Sequence, residues 1–268
     1  MGSGIISIFS NSESGSVKIK RQLRMKLKDA GFVPSGGYDP EAELVICIGG
    51  DGALLNTLRL LDFPDVPVVG VNTGHLGFFQ ELQPSELDEF VFRYKERRYV
   101  VHCLKTAGAE IVHGDDAKTS LIGLNEIVIR GAASRVAHLD IFIGDSFIEA
   151  FRGDGVLVST PSGSTAYNYA LGGSIVDPRL DLLQVTPIAP INNSAYRSFT
   201  SSVLLPPHLE LNVFPEQGAD KSVLIAADGA EGVYVGVKRI HIGFSGKAVK
   251  LIRFENYDFW NKAKQKLL

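Results

Sequence analysis

Along about the first hundred residues, short unbroken apolar runs alternate with segments whose apolar positions recur every three or four residues. Residues 5–9 read as a short buried strand. In residues 16–30, Ile19, Leu23 and Leu27 stand one turn apart on a basic amphipathic helix, and Gly31 is placed to stop it. Leu44-Val45-Ile46-Cys47-Ile48 is apolar without alternation, as a strand covered on both faces requires. Gly49-Gly50-Asp51-Gly52 follows at once, and residues 53–61 continue as a helix. Residues 68–71 form another short strand, and Ser85-Glu86-Leu87-Asp88 reads as a capping box opening a helix to about Tyr94. Strand, turn and helix in this order predict an α/β layer with right-handed crossovers.

Beyond residue 98 the pattern changes to a run of strands, at 99–104, 109–112, 124–130, 138–143 and 147–151. Gly144-Asp145 reads as a two-residue hairpin turn. Further strands are expected at 203–205, 209–214, 222–227, 233–237, 239–244 and 247–254. The fold class is therefore an α/β N-terminal domain (1–98) plus a mostly antiparallel β C-terminal domain (99–254). An amphipathic helix in the last segment (255–268) is expected to return and pack on the first domain.

Composition narrows the classes of function. The 268 residues are 45% apolar and 21% charged, an ordinary globular balance with material for one large domain or two modest ones. A net charge of −3 gives no bulk positive field for nucleic acid or an anionic membrane. No apolar run reaches the roughly 18 residues that span a bilayer, and the N-terminus lacks a signal-peptide pattern. Cys47 and Cys103 each sit in an apolar run and read as small hydrophobes in a reduced, cytoplasmic compartment.

Four segments carry candidate chemistry. Gly49-Gly50-Asp51-Gly52 joins a buried strand to a helix, where open α/β sheets bind ligands and free backbone N–H groups attract phosphate. A carboxylate there would repel phosphate unless it accepted a proton, held a metal or did both, and the plainer alternative is a turn with Asp51 as N-cap. Asn72-Thr73-Gly74-His75-Leu76-Gly77-Phe78 follows the next strand and is expected at the same sheet edge, although a lone His75 also fits a structural role. Asn125-Glu126 lies in an apolar run. Alternation would put the two side chains on opposite faces, so joint work needs a bulge or bend, and a half-exposed strand explains them equally well. The densest region, residues 152–168, reads as a loop after a strand, rich in glycine and hydroxyls that suit phosphate and sugar oxygens, with Tyr167 able to stack on a base.

Absences also discriminate. There is no G-x-x-x-x-G-K-[ST] run, and G-x-G-x-x-G fails because Leu55 stands where the third glycine belongs. Neither Ser162 nor Ser164 sits in a G-x-S-x-G elbow, and no two histidines are four apart.

Taken together, and in this order over roughly residues 44–197, these segments resemble the NAD kinase family. Gly-Gly-Asp-Gly alone is shared with diacylglycerol, sphingosine and phosphofructo-kinases; the Asn-Glu pair with the long Thr-Pro-Ser-Gly-Ser-Thr-Ala-Tyr segment is the specific part. The resemblance implies NAD bound in a crevice between the two domains and a phosphoryl group moved from ATP, or polyphosphate, to the adenosine 2′-hydroxyl. It implies a divalent metal, Mg2+ by expectation, with protein ligands left unassigned, and a homo-oligomer, expected to be a tetramer. By motif, Asp51 activates the hydroxyl, Gly49, Gly50 and Gly52 meet phosphate, and Asn125 and Glu126 hold the adenosine ribose. Thr165 and Ala166 touch adenine, and Asp154, Ser162 and Tyr167 hold the nicotinamide half. Gly74, His75, Phe78 and Arg152 complete the expected NAD contacts, Ala189 and Ile191 form a wall from a neighbouring subunit, and Asp228 is a late acidic residue near the site. One departure stands out: Ala53 occupies the place where the family has Thr or Ser, which removes a hydroxyl from the donor phosphates. Two rivals share parts of the pattern: a lipid kinase of the diacylglycerol type, and a non-catalytic dinucleotide sensor with no need for Asp51.

Overall fold

In the computed structural model the described residues are 4–74, 77–194, 197–216, 218, 222–255 and 257–267. The chain forms two compact units. One comprises the chain up to Leu104 and from Ala248 onward; the other is Lys105–Lys247.

The first unit opens with β1 (Ile5–Ser10), α1 (Ser14–Asp29), β2 (Val33–Ser35), β3 (Leu44–Gly49), α2 (Asp51–Leu60), β4 (Val68–Asn72), β5 (Gln80–Leu82) and α3 (Leu87–Lys95). β2, β1, β3, β4 and β5 lie side by side and parallel. β3 and β4 are buried along their whole length, which is why their sequences do not alternate. α1 buries Leu23 and Leu27 against Ile6, Ile46 and Val69, and Gly31 beyond it takes φ 94°, as its sequence position requires. Truncating either leucine to alanine would cost about 2–5 kcal/mol. The capping box before α3 differs from expectation. Gln83 is the cap and pairs reciprocally with Glu86, so Pro84–Glu86 forms a 3-10 turn first and Ser85 is not the cap.

The second unit is built of β6 (Val100–His113, its first residues in the first unit), β7 (Lys118–Gly123), β8 (Glu126–Gly131), β9 (Ala137–Ile143), β10 (Ser146–Gly153) and β11 (Gly155–Ser159). A short helix α4 (Tyr167–Ala170) precedes β12 (Leu183–Ile188), β13 (Val203–Leu205), β14 (Leu211–Pro215), β15 (Ser222–Ala227), β16 (Ala230–Val235) and β17 (Val237–Arg253). An antiparallel sheet runs β13-β12-β11-β8-β15-β16. Its inner face, through Ile127, Ile129, Val156, Val158 and Ile225, packs on Leu139, Ile141, Phe151, Leu211 and Ile240 of the β10-β9-β14-β17 layer. The β9–β10 hairpin turns at Gly144-Asp145 with Gly144 at φ 56°.

Three expectations are corrected here. Segments 99–104 and 109–112 are one strand, β6, and segments 239–244 and 247–254 are one strand, β17. Residues 152–168 are not a loop: β11 is a fully buried strand between β8 and β12, followed by a 3-10 turn at Ser162–Thr165 and by α4. The pattern misled because glycines and hydroxyl residues surround the short apolar run Val156-Leu157-Val158, which is covered on both faces, by the sandwich core and by Leu171 over Leu157 and Val128.

The last residues of β17 return to the first unit, where Leu251 pairs in parallel with Val68 of β4. α5 (Phe259–Leu267) follows and buries Phe259 and Ala263 in the first unit, Phe259 against the Phe78 ring. The units divide inside β6 and β17 rather than at a connecting loop.

Candidate active site

In the first unit, β1, β3 and β4 end at one edge because they are parallel and nearly in register. Gly49 pairs with Asn72, and Asn11 N–H donates to Ile48 O at 3.3 Å. Gly49 takes φ 152°, and a Cβ there would lie 2.6 Å from Cβ of Ala53, so the turn into α2 admits only glycine. Gly50 is the N-cap and Asp51 the first helical residue. The capping alternative for Asp51 does not describe its contacts. Its carboxylate reaches across to the next connection, where Oδ2 accepts the Phe78 N–H (2.9 Å) and Oδ1 the Phe79 N–H (3.1 Å). Gly77 permits this approach, since a Cβ would stand 2.3 Å from Asp51 Oδ1. Arg253, buried in β17, donates to the carbonyls of Phe78 and Phe79 at 3.0 and 3.1 Å and to Glu81 at 2.8 Å. The Phe78–Phe79 backbone is thus held through its N–H groups by Asp51 and through its carbonyls by Arg253. Gly52 and Gly74 are exposed at this edge, where Gly74 N–H donates to Asn72 Oδ1 and the Thr73 hydroxyl pairs with that of Ser16. Phe78 is buried against Phe259, and His75 lies outside the described residues.

In the second unit, Asn125 precedes β8 in the bend at 124–125, so strand alternation does not govern it, and Glu126 is the first strand residue. Both side chains are buried, at 7% exposure, with Asn125 Oδ1 and Glu126 Oε2 lacking any hydrogen-bond partner. Burial, reinforced by the nearby Asp228 carboxylate, pushes the Glu126 carboxyl up to about 8. Asp228, in left-handed backbone at φ 48°, accepts the N–H groups of Leu124, Asn125 and Glu126 at 2.7, 2.7 and 3.2 Å. Its carboxylate shapes the Asn-Glu turn. The 160–166 segment closes on the same turn: Thr160 donates its N–H to Asn125 O and its hydroxyl to Leu124 O, and Gly163 lies so close that a Cβ would meet Asn125 O at 2.0 Å. Ser162 and Thr165 lie in the same 3-10 turn as Gly163, Ala166 donates its N–H to Gly163 O, and Tyr167 follows, exposed.

The remaining predicted residues stand elsewhere. β8 and β11 pair from Ser159–Glu126 to Gly155–Arg130, and Asp154 sits at the far end, 4.0 Å from Arg130. Arg152 is joined there to Ile191, whose N–H donates to Arg152 O, and Ala189 is exposed at φ 44°. Four residues of strand, about 13 Å, separate this group from Glu126. A cleft of about 290 Å³ lined by Arg135, His138 and Glu216 contains none of the predicted residues. Thr160, Gly163, Gly77 and Arg253 were not singled out from sequence. The first three stand within the quoted motifs, but nothing local marks Arg253.

The first unit thus carries a partly exposed carboxylate at a glycine-rich strand–helix turn, and the second unit carries unpaired amide and carboxyl oxygens at Asn125 and Glu126. Comparison with known proteins agrees on one chemistry. Residues 37–99 match the ATP-NAD kinase N-terminal domain and residues 124–254 the ATP-NAD kinase C-terminal domain. The NAD kinase of Finegoldia magna is 36% identical over 99% of this chain and 98% of its own, and NAD kinase 1 of Oceanobacillus iheyensis is 34% identical over 96% of each. Among solved structures, yeast NADH kinase complexed with NADH aligns with a TM-score of 0.86 at 18% identity, covering 98% of this chain and 87% of that one. An NAD kinase from Archaeoglobus fulgidus in complex with ATP aligns with 0.78 at 21%, covering 97% and 98%. The last two establish the fold; identity above one third along the whole length, with both domain matches in place, means that the chain belongs to the NAD kinase family and is a phosphotransferase.

Proposed function

We propose that Asp51 is the general base of this kinase and that Asn125 and Glu126 hold the adenosine ribose whose 2′-hydroxyl is phosphorylated. The hydroxyl proton passes to Asp51, the 2′-oxygen bonds the terminal phosphorus of ATP or another donor, and the bond to the leaving phosphate breaks. The observation that carries this reading is the pair of buried oxygens without partners, Asn125 Oδ1 and Glu126 Oε2. A buried acceptor left unpaired costs about 1–3 kcal/mol, which a ribose diol donating two hydroxyl protons would recover. Thr165 and Ala166, in the segment that closes on this turn through Gly163, suit adenine, and Ser162, Tyr167, Gly74, His75 and Phe78 the rest of the dinucleotide. Gly49, Gly50 and Gly52 serve the donor phosphates. In this reading Asp228 acts by shaping the Asn-Glu turn.

Arg152, Asp154, Ala189 and Ile191, at the other end of β11, then serve the site of a neighbouring copy in a homo-oligomer, a tetramer in our reading. A divalent cation, Mg2+ by expectation, would ride on the donor phosphates and offset their charge. Among the described residues no group of three or more His, Cys, Asp or Glu side chains gathers to cage one. A cytoplasmic location fits free Cys47 and Cys103, and among the described residues no helix is long and apolar enough to cross a membrane.

The test is NADP formation from NAD, ATP and Mg2+, followed with an NADP-specific dehydrogenase. Asp51→Asn should lower turnover by about 10²–10⁴-fold while NAD binding persists. Near-normal turnover in that variant would remove Asp51 from its role. Measurable NAD binding with no NADP from ATP or polyphosphate would favour a dinucleotide sensor.

A further inference from the structure

The C-terminal helix carries two lysines on the side that holds its buried residues, Lys262 half-buried and Lys266 partly exposed. Lys262, Ala263 and Lys266 stand three, four and seven residues after Phe259, so all four share one side of α5. Phe259 and Ala263 are buried and fix the helix in place. Lys262 Nζ donates to Gln80 O at 2.7 Å. One turn further, Lys266 Nζ stands 3.4 Å from Asp51 Oδ2 and 4.8 Å from the centre of the Phe78 ring, whose other neighbour is Phe259. The ammonium is thus seated between an aromatic face and the carboxylate.

Two contacts already hold Asp51, and both come from consecutive N–H groups of one segment, Phe78 and Phe79. They fix the carboxylate from one direction only. They also leave its full negative charge facing an edge where the donor phosphates, themselves negative, must come. A carboxylate placed beside phosphates is repelled by them, and the repulsion grows as water is excluded. A cation 3.4 Å away offsets that repulsion and restrains the side chain from a second direction.

We propose that Lys266 is a positioning residue for Asp51: its ammonium holds the carboxylate in place and balances its charge against the donor phosphates. The proposal rests on the reading of Asp51 as the base, and Lys266 works through Asp51. No motif reaches this part of the sequence, and α5 carries the residue to the site only because β17 returns the chain to the first unit.

The experiment is a double-mutant cycle on the full chain, using Lys266→Met, Lys266→Arg, Asp51→Asn and the Asp51→Asn/Lys266→Met pair. NADP formation and thermal melting are followed for each. Lys266→Met should lower kcat by about tenfold, the size of one charged contact discounted for partial exposure, with the KM for NAD within about twofold. Its melting temperature should match the parent, and Lys266→Arg should recover most of the rate. On the Asp51→Asn background, Lys266→Met should add no further loss. Wild-type turnover in Lys266→Met, beside an impaired Asp51→Asn, overturns the proposal alone. A loss that multiplies on the Asp51→Asn background overturns it too, because the lysine then acts independently of Asp51. So does a loss that arginine fails to rescue and that comes with a lower melting temperature. Wild-type turnover in Asp51→Asn removes the base reading, and this proposal with it.

Discussion

The carboxylate of Asp228 holds the backbone of Asn125, accepting its N–H at 2.7 Å while also accepting those of Leu124 and Glu126. Three donors from the turn that presents the Asn-Glu pair therefore depend on one side chain more than a hundred residues later in the chain. Asp228→Ala would orphan them at about 1–3 kcal/mol each, less whatever water recovers. We expect the KM for NAD to rise at least about tenfold, with kcat at saturating NAD changed far less. Steady-state kinetics decide it, and an unchanged KM would show that the turn does not need Asp228 to bind NAD.

Glu126 gives the unliganded protein a pH signature. Its carboxyl, raised from 4.5 to about 8, binds a proton more tightly in the folded chain than in the unfolded one. The associated stability is fully present below pH 4.5 and is lost as pH rises through about 8. Between those limits the folded state should lose up to about 1.4 kcal/mol per pH unit from this group, and Glu126→Gln should remove that slope. Urea melts from pH 5 to 9 test it; parallel curves for the two proteins would contradict it.

Gly77 has no room for a side chain, because a Cβ would stand 2.3 Å from Asp51 Oδ1. Gly77→Ala should displace the carboxylate at a stability cost of about 1–3 kcal/mol. Turnover should fall by about a hundredfold, since a displacement near 1 Å carries that penalty, while calorimetric NAD binding is retained. Normal turnover would mean that the carboxylate position is not critical.

Ala53 sits in the first turns of α2, facing Gly49. If its methyl leaves the donor phosphates one hydroxyl short, Ala53→Thr should lower the KM for ATP by about tenfold, the value of one hydrogen bond to a charged group. An unchanged or higher KM would show that no phosphate oxygen lies within reach of position 53.

Much of the first unit was legible in residue order alone. β3 and β4 are buried on both faces and so are uniformly apolar, α1 repeats Leu23 and Leu27 on one face, and Gly49 marks a turn that no side chain fits. Such patterns are local, because burial and backbone geometry act on each residue where it stands. The motif order over residues 44–197 likewise pointed to the family. β11 was less legible: its mixture of glycines and hydroxyls resembles a loop until its neighbours on both sheet faces are known.

The sequence by itself determined the parallel strands β1, β3 and β4 and the helices α1 and α2 of the first unit, and which residue types gather in each motif, since those follow from periodicity and backbone preference over a few residues. Only the tertiary structure decided that Asp51 would bond Phe78 and Phe79 rather than cap its own helix, that Asp228 would shape the turn at Asn125, and that Lys266 would reach Asp51. Each of these contacts joins residues far apart in the chain. A hydrogen bond needs its partners within about 3 Å, a condition that sequence separation does not encode and that packing sets.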